Sequence, residues 1–409
     1  MLFKYEFLKI IKRKSTIIIF LLGLLMTTVF FSLPVIQYQA FTQEGMITGF
    51  EGISYNKNSQ LELAGLLTEE VITDIILEYQ QLFEDPSNVG YDGRDEFLIG
   101  DAYWEFVVPR TKFLRMVMNN YSPPDIILTV DRLREVDLSH GAQFYETRSN
   151  KIETLVQNPE RELSVSQQDF WLEKNSQVET SFEYGFSEGW DVILSATELL
   201  LFGILLVCII LAPVFAGEYQ SGADAIILSS KYGKTKVIVA KILAALVFGL
   251  LAFSLYVIMA CSIPLLAFGV EGWNLPIQIT NTVIPYPLTF LQATVINFLV
   301  IYIVLIGLIS LTLLVSAKMK SPYFVLMIMV PLFFIPLFLQ PDGTTGFYNL
   351  LIYLLPYRAT MSTFSQFITY QVGGIVLDAF MARVLLYGLM SIITLPLARY
   401  VFKKHQVSA

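Results

Sequence analysis

MLFKYEFLKIIKRKSTIIIFLLGLLMTTVFFSLPVI, Met1–Ile36, divides at Lys14 into a basic half and an apolar half. In the first half Phe3, Phe7, Ile10 and Ile11 fall near one helical face, with Lys4, Lys9, Lys12, Arg13 and Lys14 around the rest. That is the pattern of an amphipathic helix (1–14) lying on an anionic leaflet. From Ser15 to Ile36 there is no charge, over a length that meets the roughly 20 residues needed to cross a bilayer core. A signal peptide shares this order, but its apolar region is usually about 7 to 15 residues long and ends on small residues. This one is longer and runs into Gln37, Tyr38 and Gln39, so an uncleaved anchor is expected.

The rest of the chain repeats the apolar theme. It is 55% hydrophobic and only 15% charged, against roughly 25% charged in a soluble globular chain. Six spans are expected, at 15–38, 189–216, 237–268, 288–317, 322–340 and 380–402. The basic residues orient them. Lys231, Lys234 and Lys236 lie in the 217–236 loop, Lys318 and Lys320 follow the fourth span, and Lys403 and Lys404 follow the sixth. The 269–287 loop has no Lys or Arg, and 340–382 has only Arg358. By the positive-inside rule both termini are cytoplasmic.

Residues 39–188, between the first two spans, hold 27 acidic and 11 basic residues, a net −16 within a chain whose total is −8. Such a block reads as a water-exposed domain grafted onto a membrane core. Its two possible staples are missing: Cys208 and Cys261 both fall inside apolar runs, and His140 and His405 have no companions at metal-ligand spacing. In LTEEVITDIILEYQQLFEDP, Thr68 caps a helix, Glu69 and Glu70 suit its first turn, Val71, Ile75, Tyr79 and Leu82 form one face, and Pro86 lies beyond the end. DIILTVDRLREV, ETRSNKIETLVQN and SQQDFWLEKNSQVETSF are further candidates, as helices or strands. The expected fold is thus an all-α polytopic membrane protein with six transmembrane helices and a mainly helical, or α+β, extracellular domain. Between the last two spans, 349–371 is apolar but broken by Pro356 and charged at Arg358. It reads as a pair of re-entrant helices or as an amphipathic surface loop.

Catalytic chemistry is sparse. Gly233-Lys234-Thr235 imitates the end of a phosphate-binding loop, but the glycine required five places earlier is Leu228. HExxH, GxSxG, GxGxxG and paired CxxC motifs are all missing. Asp191 and Glu198 share a helical face near one membrane boundary, and Arg383 opens the sixth span. Charges at mid-bilayer are expensive, so interfacial snorkelling is expected, with a substrate pathway or an interspan pair as the alternative.

One loop carries more information. In GEYQSGADAIILSSKYGKTKVIVAK, Gly217–Lys241, Ser221–Ala223 can start a helix, Ala225–Leu228 forms an apolar patch, and Tyr232-Gly233 can stop it. An apolar-faced helix at the cytoplasmic surface needs a partner or the lipid. Six spans, cytoplasmic termini, a glutamate after the second span and the order Gly…Ile-Leu-Ser…Lys…Lys resemble the permease subunits of ABC-2 type transporters, in particular Gram-positive members with a large extracellular domain. The resemblance covers the membrane portion.

It implies a bacterial plasma-membrane permease coupled to a separate ATPase, without a cofactor of its own; ATP and Mg would sit in that partner. Glu218 would be the turn acid, and Gly222, Ala225, Ile226, Ile227, Leu228 and Ser229 would form the docking helix. Lys231 and Lys234 would lead into the third span. Two ATPase copies, a second permease chain, identical or homologous, and membrane lipid are the implied partners; nucleic acid is not. A proline that many members carry near the end of this helix is replaced by Lys231. Export of a peptide, an antimicrobial or a lipid-like molecule is expected. The competing expectation is a membrane-anchored sensor whose outer domain binds a ligand while no cargo crosses.

Overall fold

The computed structural model describes residues 1–405 apart from 94, 125 and 127. Among these, five helices are long and apolar enough to cross a membrane, the mark of a membrane-embedded chain: Lys14–Ile36, Thr197–Ser221, Gly233–Phe268, Phe290–Lys318 and Ala379–Lys404. They are called here the first, second, third, fourth and sixth apolar helices. The fifth, Pro322–Phe338, is shorter. Pro331 lies within its thirteen α-helical residues, and four residues of 3-10 helix, including Pro336, complete it. At about 1.5 Å and about 2.0 Å per residue these make roughly 28 Å, just under a hydrocarbon core of roughly 30 Å.

Small residues bring the helices together. A side chain at Gly23 would collide with the Tyr256 ring, so the first and third helices touch there, and Tyr256 donates to the Phe20 carbonyl at 3.2 Å. Gly307 accepts the Tyr387 ring of the sixth helix, and Thr394 donates to Ser310 at 2.8 Å. Polar pairs of this kind tie apolar helices where the lipid offers no hydrophobic preference for association.

The helix ends sort into two groups. Lys9 reaches Glu218, and Asp224 faces His405 at 3.3 Å, which brings the amino-terminal helix Leu2–Ile11, the 217–236 loop and the end of the sixth helix to one end. The acidic domain meets the 269–287 and 369–378 connections at the other. The amino-terminal helix does more than lie on a surface. Ile10 is buried, and Phe7 packs its ring against Phe248 of the third helix.

The acidic domain is mainly helical, with short strand pairs. Gly65–Leu67 and Phe182–Tyr184 pair antiparallel and so bring the end of the domain back to the strand that follows its first helix, Gly49–Glu62. Thr68 caps Glu69–Gln81, accepting from Val71 N at 3.3 Å. The buried stripe of that helix is Ile72, Ile76 and Tyr79, while Val71 is exposed; the expected face was rotated by about one residue. Both stripes are apolar, so periodicity could not choose between them. Glu69 accepts from the Phe144 and Tyr145 amides, both at 2.9 Å, and so satisfies the open start of Phe144–Gln157. The SQQDF segment is helical over Val165–Ser176, with a capping box between Ser164 and Gln167. In DIILTVDRLREV only a 3-10 stretch, Val130–Glu135, forms; residues 125 and 127 lie outside the described residues.

The 349–371 segment is part helix and part strand. One helix, Phe347–Leu354, and a single turn, Pro356–Ala359, are followed by an antiparallel hairpin, Thr369–Val372 with Ile375–Asp378. The second helical piece is only one turn long and begins at Pro356, the residue that breaks the segment. Thr-Tyr-Gln-Val and Ile-Val-Leu flank Gly373-Gly374, a glycine turn that closes strands rather than continuing a helix.

Candidate functional site

At the end of the bundle that carries Met1, the second apolar helix stops at Ser221, Gly222 turns the chain through the left-handed region at φ 69°, and a helix of seven residues, Ala223–Ser229, follows. Ser229 and Ser230 close it by donating to the Ile226 and Ile227 carbonyls at 3.0 and 2.7 Å. Gly233 then approaches the Ile227 carbonyl so closely that no side chain fits. This glycine is a packing device, which accounts for the imitation of a phosphate-binding loop. Lys231 and Lys234 are exposed beyond it.

The apolar patch splits in two. Ile226 is 75% exposed, whereas Leu228 is 6% exposed and faces the core; Ala225 and Ile227 lie between. Leu228 is therefore not on an open docking face, as the sequence had implied. Asp224 is buried too, against His405, whose ring lies tilted against Tyr219 with centroids 4.2 Å apart.

Glu218 is likewise not in the turn. It occupies the last turn of the second helix, where its carboxylate Oε1 lies 2.5 Å from Lys9 Nζ and 2.5 Å from Lys241 Nζ. Lys241 also reaches Glu6 at 2.7 Å. Two acids and two bases from three elements thus form one cluster, with Arg13 beside it along a small gap. Removal of charge from water costs several kcal/mol per ion, so such a cluster persists only when every member is paired. Neither Glu6 nor Lys241 was among the residues expected at this site. A helical repeat puts Glu6 near Phe7 and Ile10, the face that packs, and that spacing was the available signal.

The opposite end holds the other expected residues. Asp191 is neutralised: Lys112 Nζ lies 2.9 Å from it and 2.9 Å from Glu188, and Thr280 donates to its second oxygen. Burial alone would lower the Lys112 ammonium, but Asp191 and Glu188 outweigh it and hold it well above its usual range. Arg383 does not snorkel. It is fully buried, donating to the Tyr353 and Met361 carbonyls at 3.3 and 3.1 Å and to Thr363 at 3.3 Å, so it pins the 349–371 segment to the sixth helix. Nor does it pair with Asp191 or Glu198. Glu198 is half-buried and makes no hydrogen bond or ion pair among the described residues.

Unforeseen side chains lock the acidic domain to this end. Arg148, fully enclosed, donates to the Thr282 and Ile284 carbonyls at 2.7 and 2.9 Å and to Asn175 at 2.8 Å. Burial pulls its guanidinium down to about 10, still protonated at neutral pH. Lys174 pairs with Asp378 at 2.7 Å over the Tyr286 ring, while Asp378 also caps the sixth helix through Met381 N. Comparison with family models, curated proteins and solved structures finds no match for this chain.

Proposed function

We propose that the chain is the membrane-spanning permease subunit of an ABC-2 type ATP-driven transporter, resident in a bacterial plasma membrane. It has six spans, counting Pro322–Phe338, with both termini cytoplasmic and the acidic domain outside. Two such chains, identical or homologous, face each other, and a separate ATPase docks on each Ala223–Ser229 helix. ATP and Mg are bound in those ATPases. Cargo moves outward, a peptide, an antimicrobial or a lipid-like molecule.

One observation carries this reading: a short helix presents an exposed isoleucine, Ile226, while its root is bolted through Glu218 to the amino-terminal helix and to Lys241 of the third apolar helix. A lone lipid anchor has no need of that bolt. Force applied to Ala223–Ser229 passes along the second helix and, through the Glu218 cluster, sideways into the third. The ATPases bias the inward and outward arrangements by gripping one of them more tightly on ATP, since only differential affinity shifts such an equilibrium.

The test is co-expression with an ATPase encoded beside the chain. Ile226→Asp, at a position open to solvent, is expected to abolish co-purification while the membrane portion stays folded. Retained assembly in both Ile226→Asp and Ala225→Arg overturns the docking role. A cysteine at Tyr232 that reacts only from outside the cell overturns the topology. A sensor would show no nucleotide hydrolysis in the purified assembly.

A further inference from the structure

At the end of the molecule opposite Ala223–Ser229, a cavity of about 360 Å³ opens under the acidic domain. That is within the roughly 300–1,000 Å³ typical of small-molecule sites. Leu194, Ser195 and Glu198 form one wall, Asn281 and Ile284 of the 269–287 connection another, and Phe290 and Phe364 close it.

Its two carboxylates differ. Asp191, at the rim, is already matched by Lys112 and Thr280. Glu198 is not matched. Arg358, the cation whose charge acts on it, makes no ion pair with it and gives its guanidinium to Gln340 at 2.7 Å and to the Met361 sulfur at 3.5 Å. A carboxylate half removed from water beside apolar walls gains from an incoming cation. Aromatic faces add to that attraction. Phe364 belongs to a ring cluster with Tyr286 and Phe380 that holds its orientation.

The walls are also fixed in advance. Arg148 holds the Thr282 and Ile284 carbonyls, and Gln278 donates to Ile284 at 3.1 Å and to the Tyr286 carbonyl. A ligand therefore meets a site that needs little ordering, which favours affinity. Above it stands a domain of net charge −16, a field that concentrates cations at the mouth.

We propose that this cavity binds an organic monocation with an apolar body, its charge paired with Glu198 and its body against Leu194 and Phe364. As a statement about cargo this rests on the transport reading; as a statement about binding it stands without it.

The probe is tetraphenylphosphonium, dialysed against the purified full chain in nanodiscs of zwitterionic phosphatidylcholine, with empty nanodiscs subtracted. Saturable binding near one site per chain is expected. Glu198→Gln, which removes charge but not shape and breaks no existing bond, should weaken it at least tenfold. Ser195→Trp should fill the cavity and weaken it by a similar factor. Glu271→Gln, at an exposed carboxylate paired with Lys57 outside the cavity, should leave it unchanged. Tetraphenylborate, the same shape with opposite charge, should not compete. Wild-type affinity in Glu198→Gln, equal competition by tetraphenylborate, or no binding beyond empty nanodiscs overturns the proposal. No ATPase is present in this assay, so its failure is separable from failure of the transport reading.

Discussion

Lys241 Nζ lies 2.5 Å from Glu218 Oε1, and both side chains are all but closed to solvent, at 1% and 3% exposure. The pair joins the third apolar helix to the end of the second, and Lys9 and Glu6 extend it to the amino-terminal helix. Desolvation of this kind is tolerated for the geometry it enforces, since a buried ion pair adds little net stability over apolar packing.

Removal of one partner is another matter. Glu218→Gln leaves the Lys241 ammonium with Glu6 alone, and the cost of breaking a buried pair is about 3 kcal/mol. Thermal unfolding in detergent should show this loss, and the double variant Glu218→Gln/Lys241→Met should recover more than half of it. Equal melting of the single and double variants would contradict a coupled cluster.

The contact between the first and third helices has its own test. Gly23→Val forces a side chain into the Tyr256 ring and should destabilise the bundle by about 1–3 kcal/mol, the usual cost of overpacking. Gly388→Ala, on the sixth helix with nothing within 4 Å, is the neutral control. Similar melting of the two variants would rule out close packing at Gly23.

Arg148→Met deletes three hydrogen bonds, removing the side-chain donor to the Thr282 carbonyl and leaving the Ile284 carbonyl to Gln278 alone. Charged hydrogen bonds contribute about 1.5–3 kcal/mol each in measured series, so the 280–286 connection should open locally. Hydrogen exchange at Val283 and Ile284 should accelerate at least tenfold, with exchange in Ala223–Ser229 unchanged. Unaltered protection at both positions would mean that the domain does not hold this connection.

Gly233→Ala sets a methyl group against the Ile227 carbonyl. The short helix must shift, at a cost of about 1–3 kcal/mol. If that helix transmits ATPase motion, hydrolysis and transport should uncouple while the subunits still co-purify. Full coupling in this variant would mean that the exact seat of the helix does not matter.

Several features were legible from residues close together in the chain. The lengths of the apolar runs, the acidic 39–188 block, the Thr68 cap and a helix start within Ser221–Ala223 depend on neighbours within a few positions, although Gly222, expected inside that helix, turns the chain before it. Two limits of that reading are instructive. Thr369–Gln371 sat at the end of a segment whose grease suggested helix, yet Gly373-Gly374 just beyond it turn these residues into the first strand of a hairpin. Arg383 looked interfacial because it opens an apolar run, but Tyr353 and Met361, brought over it by the fold, supply acceptors that no local pattern announces.

By itself, then, the sequence determined which stretches avoid water, where the hydrated domain is inserted and where a helix of one or two turns follows Glu218. Hydropathy and capping are local and additive along the chain, so a linear reading captures them. Only the tertiary structure decided that Lys9, 209 positions before Glu218, shares the Glu218 carboxylate with Lys241, that Ile226 looks outward while Leu228 looks in, and that the Glu198 side chain has no hydrogen-bond or ion-pair partner among the described residues. Burial and pairing depend on what arrives from distant segments, and two equally apolar faces of a helix are told apart only by what packs against them.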